Sequence, residues 1–374
     1  MNCIFRIIII LCLVSFHQGL AQNETFPCGT VPTEDDIHYY NLFRQQRQLF
    51  YMQRDGVGNG SSPLRVFVQN FLVRRDNGTT GLIQLSTAGV IASLNSAFTG
   101  SGIEFESCGY EEIDNSDFNE FDQNDDETAL TTQYDVEDVV NVYYVGSVTT
   151  SNTVCGYTYR PSSTIGNFGL MIDYTCDIEN TVIHEMGHYF SLYHTHGKSN
   201  CGFTDERVDG SNCQTAGDDI CDTPADPNLQ WGLDDNLVPD CSGSHVNVGL
   251  FGACTYTGDF TDANNDLFEP DITNYMSYAP KTCRTIFTAQ QLSCMRFSLL
   301  NDRPYLICNV CPEILTISGP QIFDNVYEAR RITCTSFIID NVDIQLNAGD
   351  RVYLGTGFKA FPGSKFKAKI ECNN

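Results

Sequence analysis

The chain has 374 residues, with 47 acidic against 21 basic side chains and a formal net charge of −26. A phosphate backbone repels such a surplus of carboxylates, which excludes nucleic acid as a partner, whereas a soluble exported protein with calcium as counter-ion suits it. The length accommodates one large domain and a small appendage, and nothing after the N-terminal leader is apolar for long enough to cross a bilayer.

Arg6, the apolar run from Ile7 to Val14 and Gly19-Leu20-Ala21 form a secretory leader over residues 1–21, so the mature protein is expected outside the cell. Residues 22–63 are rich in Gln, Asp and Gly, carry a helical patch from Ile37 to Met52 and end in a Gly-Ser-Pro joint. They read as a propeptide, with Arg47 and Arg54 as processing points. Of seventeen cysteines, Cys3 and Cys12 leave with the leader, and an oxidising compartment pairs most of the rest. The odd remainder points to Cys28, in the polar N-terminal segment. A thiolate there can reach a metal site, displace its water and hold the chain latent until the segment is cut away. The plain alternative is an ordinary disulfide.

From Leu64 the pattern becomes α/β. Leu64 to Arg74 alternates as a strand, Ser86 to Phe98 has helical spacing with Ser86 or Thr87 as cap, and Gly102 to Cys108 is a second strand. Asp114 to Glu127 reads as an acidic, solvated loop that also offers calcium ligands. Val139 to Val145 suits a buried strand. Gly169 to Tyr174 is the expected edge strand for an extended substrate backbone.

The chemistry concentrates in Thr181 to His194. His184 and His188, four apart on a helix capped by Asn180 or Thr181, present two imidazoles on one face, and Glu185 stands beside them. His194 comes six residues after His188, so it joins them only if the helix ends and the chain turns back. Three neutral imidazoles leave an open zinc position, with Glu185 placed as general base. The bland reading is an amphipathic helix with histidines on its polar side. His196 competes with His194 by proximity, and Asp218 or Asp219 offers a carboxylate third ligand.

Residues 198–270 are irregular and rich in Asp, Asn, Gly and Cys, so disulfides must hold them. Cys213 and Cys221 can close a short loop, and Cys201, Cys241, Cys254 and Cys283 can fasten the surroundings of Met276. Asp262, Asn264 and Asp266 place oxygens at alternate positions, as in a structural calcium loop, though without the glycine of an EF-hand. Phe287 to Leu300 is a helix capped by Thr288. The last sixty or so residues alternate apolar pairs with glycine corners, as short strands stacked in a small solenoid or sandwich do, and Lys359, Lys365, Lys367 and Lys369 line one solvated face.

His184-Glu185-Met186-Gly187-His188 through His194, Gly217 to Pro224, Asn274-Tyr275-Met276-Ser277-Tyr278, and Cys283 with Phe287, Thr288 and Gln291 together resemble the pappalysin family of metzincins, the ulilysin-like and cytophagalysin-like secreted peptidases. The resemblance covers roughly residues 65–300. It implies an α+β catalytic domain over 64–311, with a twisted mixed sheet, an active-site helix and a Met-turn. It also implies His184, His188 and His194 as ligands of one catalytic Zn2+, Glu185 as base, Met276 beneath the metal and Tyr278 as oxyanion donor. Structural calcium and an N-terminal latency segment accompany the family. Where the signature has a glycine, this chain has Ser191, which must take a positive φ or turn by another route. Residues 312–374 resemble the small β modules at the ends of secreted Bacteroidetes proteins. The expected activity is secreted zinc-dependent endopeptidase, acting on protein or peptide substrates. The competing expectation is a secreted binding or adhesive protein that keeps a degenerate peptidase scaffold and works through its C-terminal module.

Overall fold

The computed structural model describes residues 28–52, 63–82, 85–162, 168–199, 202–229, 232–233, 239–240 and 254–307, and most of 314–370. The leader, the joint with Arg54, and Cys201, Cys241, Cys308 and Cys311 lie outside the described residues. No described helix is long and apolar enough to cross a membrane.

The centre is a five-stranded mixed sheet in the order Ile103–Asp114, Leu64–Arg74, Val140–Val145, Leu170–Asp173, Gly156–Thr158. The first four strands run parallel, and Gly156–Thr158 pairs antiparallel at one edge. Parallel strands are covered on both faces, which is why Leu64–Arg74 is buried from Val66 to Val73 and carries apolar side chains on both of its faces. Its alternation divides the core: Val66, Val68 and Leu72 pack on one side, and Phe67, Phe71 and Val73 on the other. The first side is closed by the helices Thr87–Ala97, Ile178–Tyr189 and Ala289–Asn301. Ser86 caps the first of these through Gly89 N, and Thr288 with Gln291 forms a capping box on the last.

Three expectations are corrected. Gly169 to Tyr174 is not at the edge: Leu170–Asp173 lies between Val140–Val145 and Gly156–Thr158, because the chain doubles back before it, and Cys155–Cys176 ties the hairpin to the next segment. The stretch from Asp114 to Glu127 is not a loop. Asn115 and Asp122 accept from Phe118 N and Asn124 N and start the helices Ser116–Asn119 and Gln123–Tyr134, whose early acids face the helix dipole favourably. The active-site helix is capped by Asp177, one turn before the expected residues.

Residues 28–52 are docked on this domain as two helices, Glu34–Leu42 and Arg44–Met52. Arg47 is buried and paired with Asp302 at 2.7 Å, so it is not presented to a protease in this state. At the C-terminal end, Ile314–Ile317, Asn325–Cys334, Asp343–Leu354 and Lys365–Ile370 form one sheet, and three two-residue strands form another. Every pairing in both is parallel, and each strand meets the next about 20 residues on, as coils of a solenoid do. Ile332, Val342, Ile344 and Leu346 pack inside, with Lys359, Lys365 and Lys367 exposed.

Candidate active site

Two imidazoles come from the helix Ile178–Tyr189. His184 Nδ1 lies 2.6 Å from the Tyr275 carbonyl and His188 Nδ1 2.9 Å from the Leu192 carbonyl. A carbonyl only accepts, so both Nδ1 atoms carry the proton and both Nε2 lone pairs face inward. His194 Nε2 lies 3.0 Å from His188 Nε2 and 3.3 Å from His184 Nε2. Ligands about 2.1 Å from a tetrahedral zinc are separated by roughly 3.4 Å, so the three nitrogens fit that ion. Burial keeps the rings neutral: His184 and His194 are pushed well below the usual imidazole range, and His188 down to about 3.

The helix ends where His194 requires it to. Ser191 takes φ 79°, so a side-chain-bearing residue occupies the left-handed position that favours glycine. Its hydroxyl is 2.8 Å from the Ser298 hydroxyl and donates to Asp302 at 3.2 Å, while its carbonyl accepts from Arg160 at 2.8 Å. Thr195 N donates to the Met276 carbonyl, tying the returning chain to the turn at Met276. Met276 is fully buried, and its sulfur lies so close to Gly187 that a Cβ there would overlap it. That is the reason for glycine inside the motif.

His194 Nδ1 has no hydrogen-bond partner among the described residues, and its ring is held by faces instead. His196 stacks on it at 5.1 Å and 7°, and Tyr278 lies against it at 4.4 Å. His196 Nε2 is turned to the Ser199 carbonyl, and His196 does not join the convergent group. Asp218 and Asp219 do not join it either. Asp218 accepts from Thr223 and Ile220 N, and Asp219 pairs with Lys198 and Arg44.

The fourth member of the convergent group is Cys28, whose sulfur lies with the three imidazole nitrogens in a set within 4.8 Å of one another. Gly29 N donates to the Gly156 carbonyl, and Thr30 Oγ1 accepts from Thr158 N and directs its single proton to Glu185 Oε2 at 2.8 Å, with the Thr158 carbonyl further off at 3.2 Å. The segment thus runs along the true edge strand and caps one oxygen of Glu185. Burial raises the Glu185 carboxyl to about 7, against the lowering contacts of Thr30 and Cys28.

Cys213 joins Cys221, as their spacing suggested; of the four cysteines whose pairing was left open, Cys254 joins Cys283, while Cys28, Cys294 and Cys334 are thiols. Parity alone therefore did not isolate Cys28. At the expected calcium loop, Asp262 accepts from Asn264 N, Asp266 N and Val208 N, so its oxygens already organise the turn. Sequence reading missed a different acidic group. Glu206 is buried near Asp218 and Asp226, and burial followed by those two charges raises it to about 9.

One chain in the structure of a chaperone-substrate complex superposes with a TM-score of 0.30 at 11% identity, over 66% of this chain and 35% of that one, a likeness too weak to carry any argument. This chain spans only about a third of that one. An extracellular metalloprotease of Colletotrichum graminicola (strain M1.001 / M2 / FGSC 10212) is 24% identical over 308 residues, 77% of this chain and 94% of that protein. Residues 86–195 match the model of Metallo-peptidase family M12B, Reprolysin-like, so the stretch that holds Glu185 and the three histidines carries a metallopeptidase domain.

Proposed function

We propose that this chain is the latent form of a secreted, pappalysin-like zinc endopeptidase, with His184, His188 and His194 as metal ligands, Glu185 as general base and Cys28 as the removable fourth ligand. The observation that carries the reading is the convergence of three neutral imidazole nitrogens and one buried thiol beside an orphaned carboxylate oxygen, Glu185 Oε1. A zinc ion held there supplies Lewis-acid chemistry, polarising a peptide carbonyl and acidifying a water. The export reading draws on the leader and on the extracellular relative. The pappalysin subtype draws on the motifs around Gly217 to Pro224 and Met276.

In the working enzyme the chain's own groups divide the labour as follows. The edge strand Gly156–Thr158 binds the substrate backbone at the places now used by Gly29 and Thr30. Glu185, freed of Thr30, takes the proton of the attacking water and returns it to the leaving amine. Tyr278 donates to the oxyanion, a charge that exists only as the barrier is crossed, and burial keeps its phenol protonated. A degenerate scaffold would have no reason to keep Glu185 beside an intact ligand set.

The test compares the unprocessed chain with its Cys28→Ser variant, both zinc-loaded, on a diverse peptide mixture read by mass spectrometry. Chelator-sensitive cleavage that rises in Cys28→Ser is expected. Equal activity in both overturns the latency role, and absence of cleavage in the variant and in the processed chain overturns the peptidase reading.

A further inference from the structure

We propose that Arg160 is a carboxylate-binding subsite of the processed enzyme, occupied in the present state by Asp36, and that it selects acidic side chains in peptide substrates. The inference rests on reading residues 28–52 as a segment that leaves.

Arg160 lies two residues beyond Thr158, the last residue of the edge strand on which a substrate backbone would pair. Its side chain is buried and held from two sides. One nitrogen donates to the Ser191 carbonyl at 2.8 Å, and the guanidinium sits 3.3 Å above the Tyr193 ring centroid. These contacts belong to the catalytic domain and persist when the N-terminal segment departs. A second nitrogen, Nη1, donates to Asp36 Oδ1 at 2.8 Å, while Nε has no hydrogen-bond partner, and Asp36 is the only carboxylate that pairs with Arg160 among the described residues. Asp36 itself is fixed by its capping box with Thr33, and Tyr40, also from the departing segment, packs edge-on against Tyr193 at 5.1 Å.

Release of the segment therefore uncovers a cation that is already oriented, already partly desolvated and left with Asp219 as a longer-range charge but with no carboxylate bonded to it. The segment's other two ionic contacts uncover carboxylates of the catalytic domain, not a cation. Asp219 keeps Lys198 at 2.8 Å when Arg44 goes, and Asp302 keeps the Ser191 hydroxyl when Arg47 goes. A planar guanidinium with one fixed arm and one open arm matches a carboxylate better than any neutral group. Latency and specificity then use the same contact: the segment fills the subsite with the side-chain class that the enzyme selects.

Two measurements test this on the full chain, cut in the joint and freed of the segment. In the first, peptides that differ only as Asp against Asn are compared at each of three positions on either side of the scissile bond. At one position kcat/KM should favour Asp by about tenfold or more, the scale of a charge-assisted hydrogen bond. Arg160→Gln should bring that ratio to about one, and Arg160→Lys should keep part of it. A ratio of one at every position in the unaltered enzyme overturns the subsite, as does an Arg160→Gln that lowers Asp and Asn peptides equally, which is the signature of a merely structural role. The second measurement needs no variant of the enzyme. Synthetic segment 28–52 carrying Cys28→Ser should bind the processed chain about tenfold tighter than the same peptide with Asp36→Asn, and equal affinity overturns the proposal. If no peptide is cleaved at all while the segment still discriminates, it is the peptidase reading that fails and the carboxylate site that survives.

Discussion

His184 and His188 reach the metal position by a different kind of construction from His194. The helix pair is set by a four-residue spacing on one helix, with His188 oriented by the Leu192 carbonyl just past the helix end and only one distant group, the Tyr275 carbonyl, orienting His184. The third imidazole hangs on a turn that breaks a backbone preference, and that turn and ring are held by residues more than eighty positions away: Ser298, Asp302, Met276 and Tyr278. A ligand placed by local geometry needs few partners, whereas a ligand placed by a turn needs a wall of them. The contrast predicts where the site breaks and by how much.

The largest effect belongs to the helix and is chemical. Glu185→Gln should keep the three imidazoles and the bound zinc while lowering kcat/KM by roughly a thousandfold, the loss of a general base. Metal analysis beside steady-state rates checks it, and a zinc-loaded variant with near-normal activity removes Glu185 from the role. His194→Ala comes next. Loss of zinc from that variant, measured against retention in His196→Ala and Asp218→Asn, separates the three candidates for third ligand. Retention in His194→Ala with loss in either of the others reverses the assignment.

The turn itself gives a smaller, two-sided effect. Ser191→Ala keeps the φ of 79° with a Cβ and removes the hydroxyl that joins Ser298 and Asp302, which should cost about 1–2 kcal/mol. Ser191→Gly loses the same hydroxyl but relieves a left-handed strain of about 1–2 kcal/mol, so it should be nearly neutral. Thermal or denaturant unfolding of the pair reads the difference directly. Equal destabilisation by both would mean that the hydroxyl contacts alone matter and the backbone carries no strain.

This contrast also explains what was legible in the sequence. The strands that begin near Leu64, Ile103, Val140 and Leu170, the helix from Ser86, the capping box at Thr288 and the His184–Glu185–His188 face follow from local periodicity and capping chemistry and appear where expected, whereas the strand Gly156–Thr158 gave no such signal. Ser191 was visible as a departure, but which of its two routes the chain takes depends on Arg160, Ser298 and Asp302, which no spacing relates to it. Edge status is likewise a property of the assembled sheet. Leu170–Asp173 and Gly156–Thr158 are both short and fully buried, and only pairing order tells them apart. The acidic stretch after Asp114 was read by charge, whereas its helices are started by two capping side chains.

The smallest effect lies behind the turn, on the far side of the loop that follows His194. Gly197 packs against the Gly217 carbonyl, and Gly217 in turn packs against Glu206, so Glu206 backs the ligand-bearing loop through two glycines that tolerate no side chain. Glu206 is buried, and its carboxyl is raised from the usual 4.5 to about 9 by burial and by Asp218 and Asp226. A raised folded-state pKa means that the folded protein holds a proton which the unfolded chain releases at lower pH. The group's contribution is therefore fully present below about 4.5 and is lost as pH rises toward about 9. Glu206→Gln removes that dependence without changing size. In chelator, the variant should match the parent in melting temperature near pH 4 and exceed it by a margin that widens up to pH 9. A constant difference across that range would show that Glu206 folds with its proton state unchanged, and would leave the ligand loop supported by packing alone.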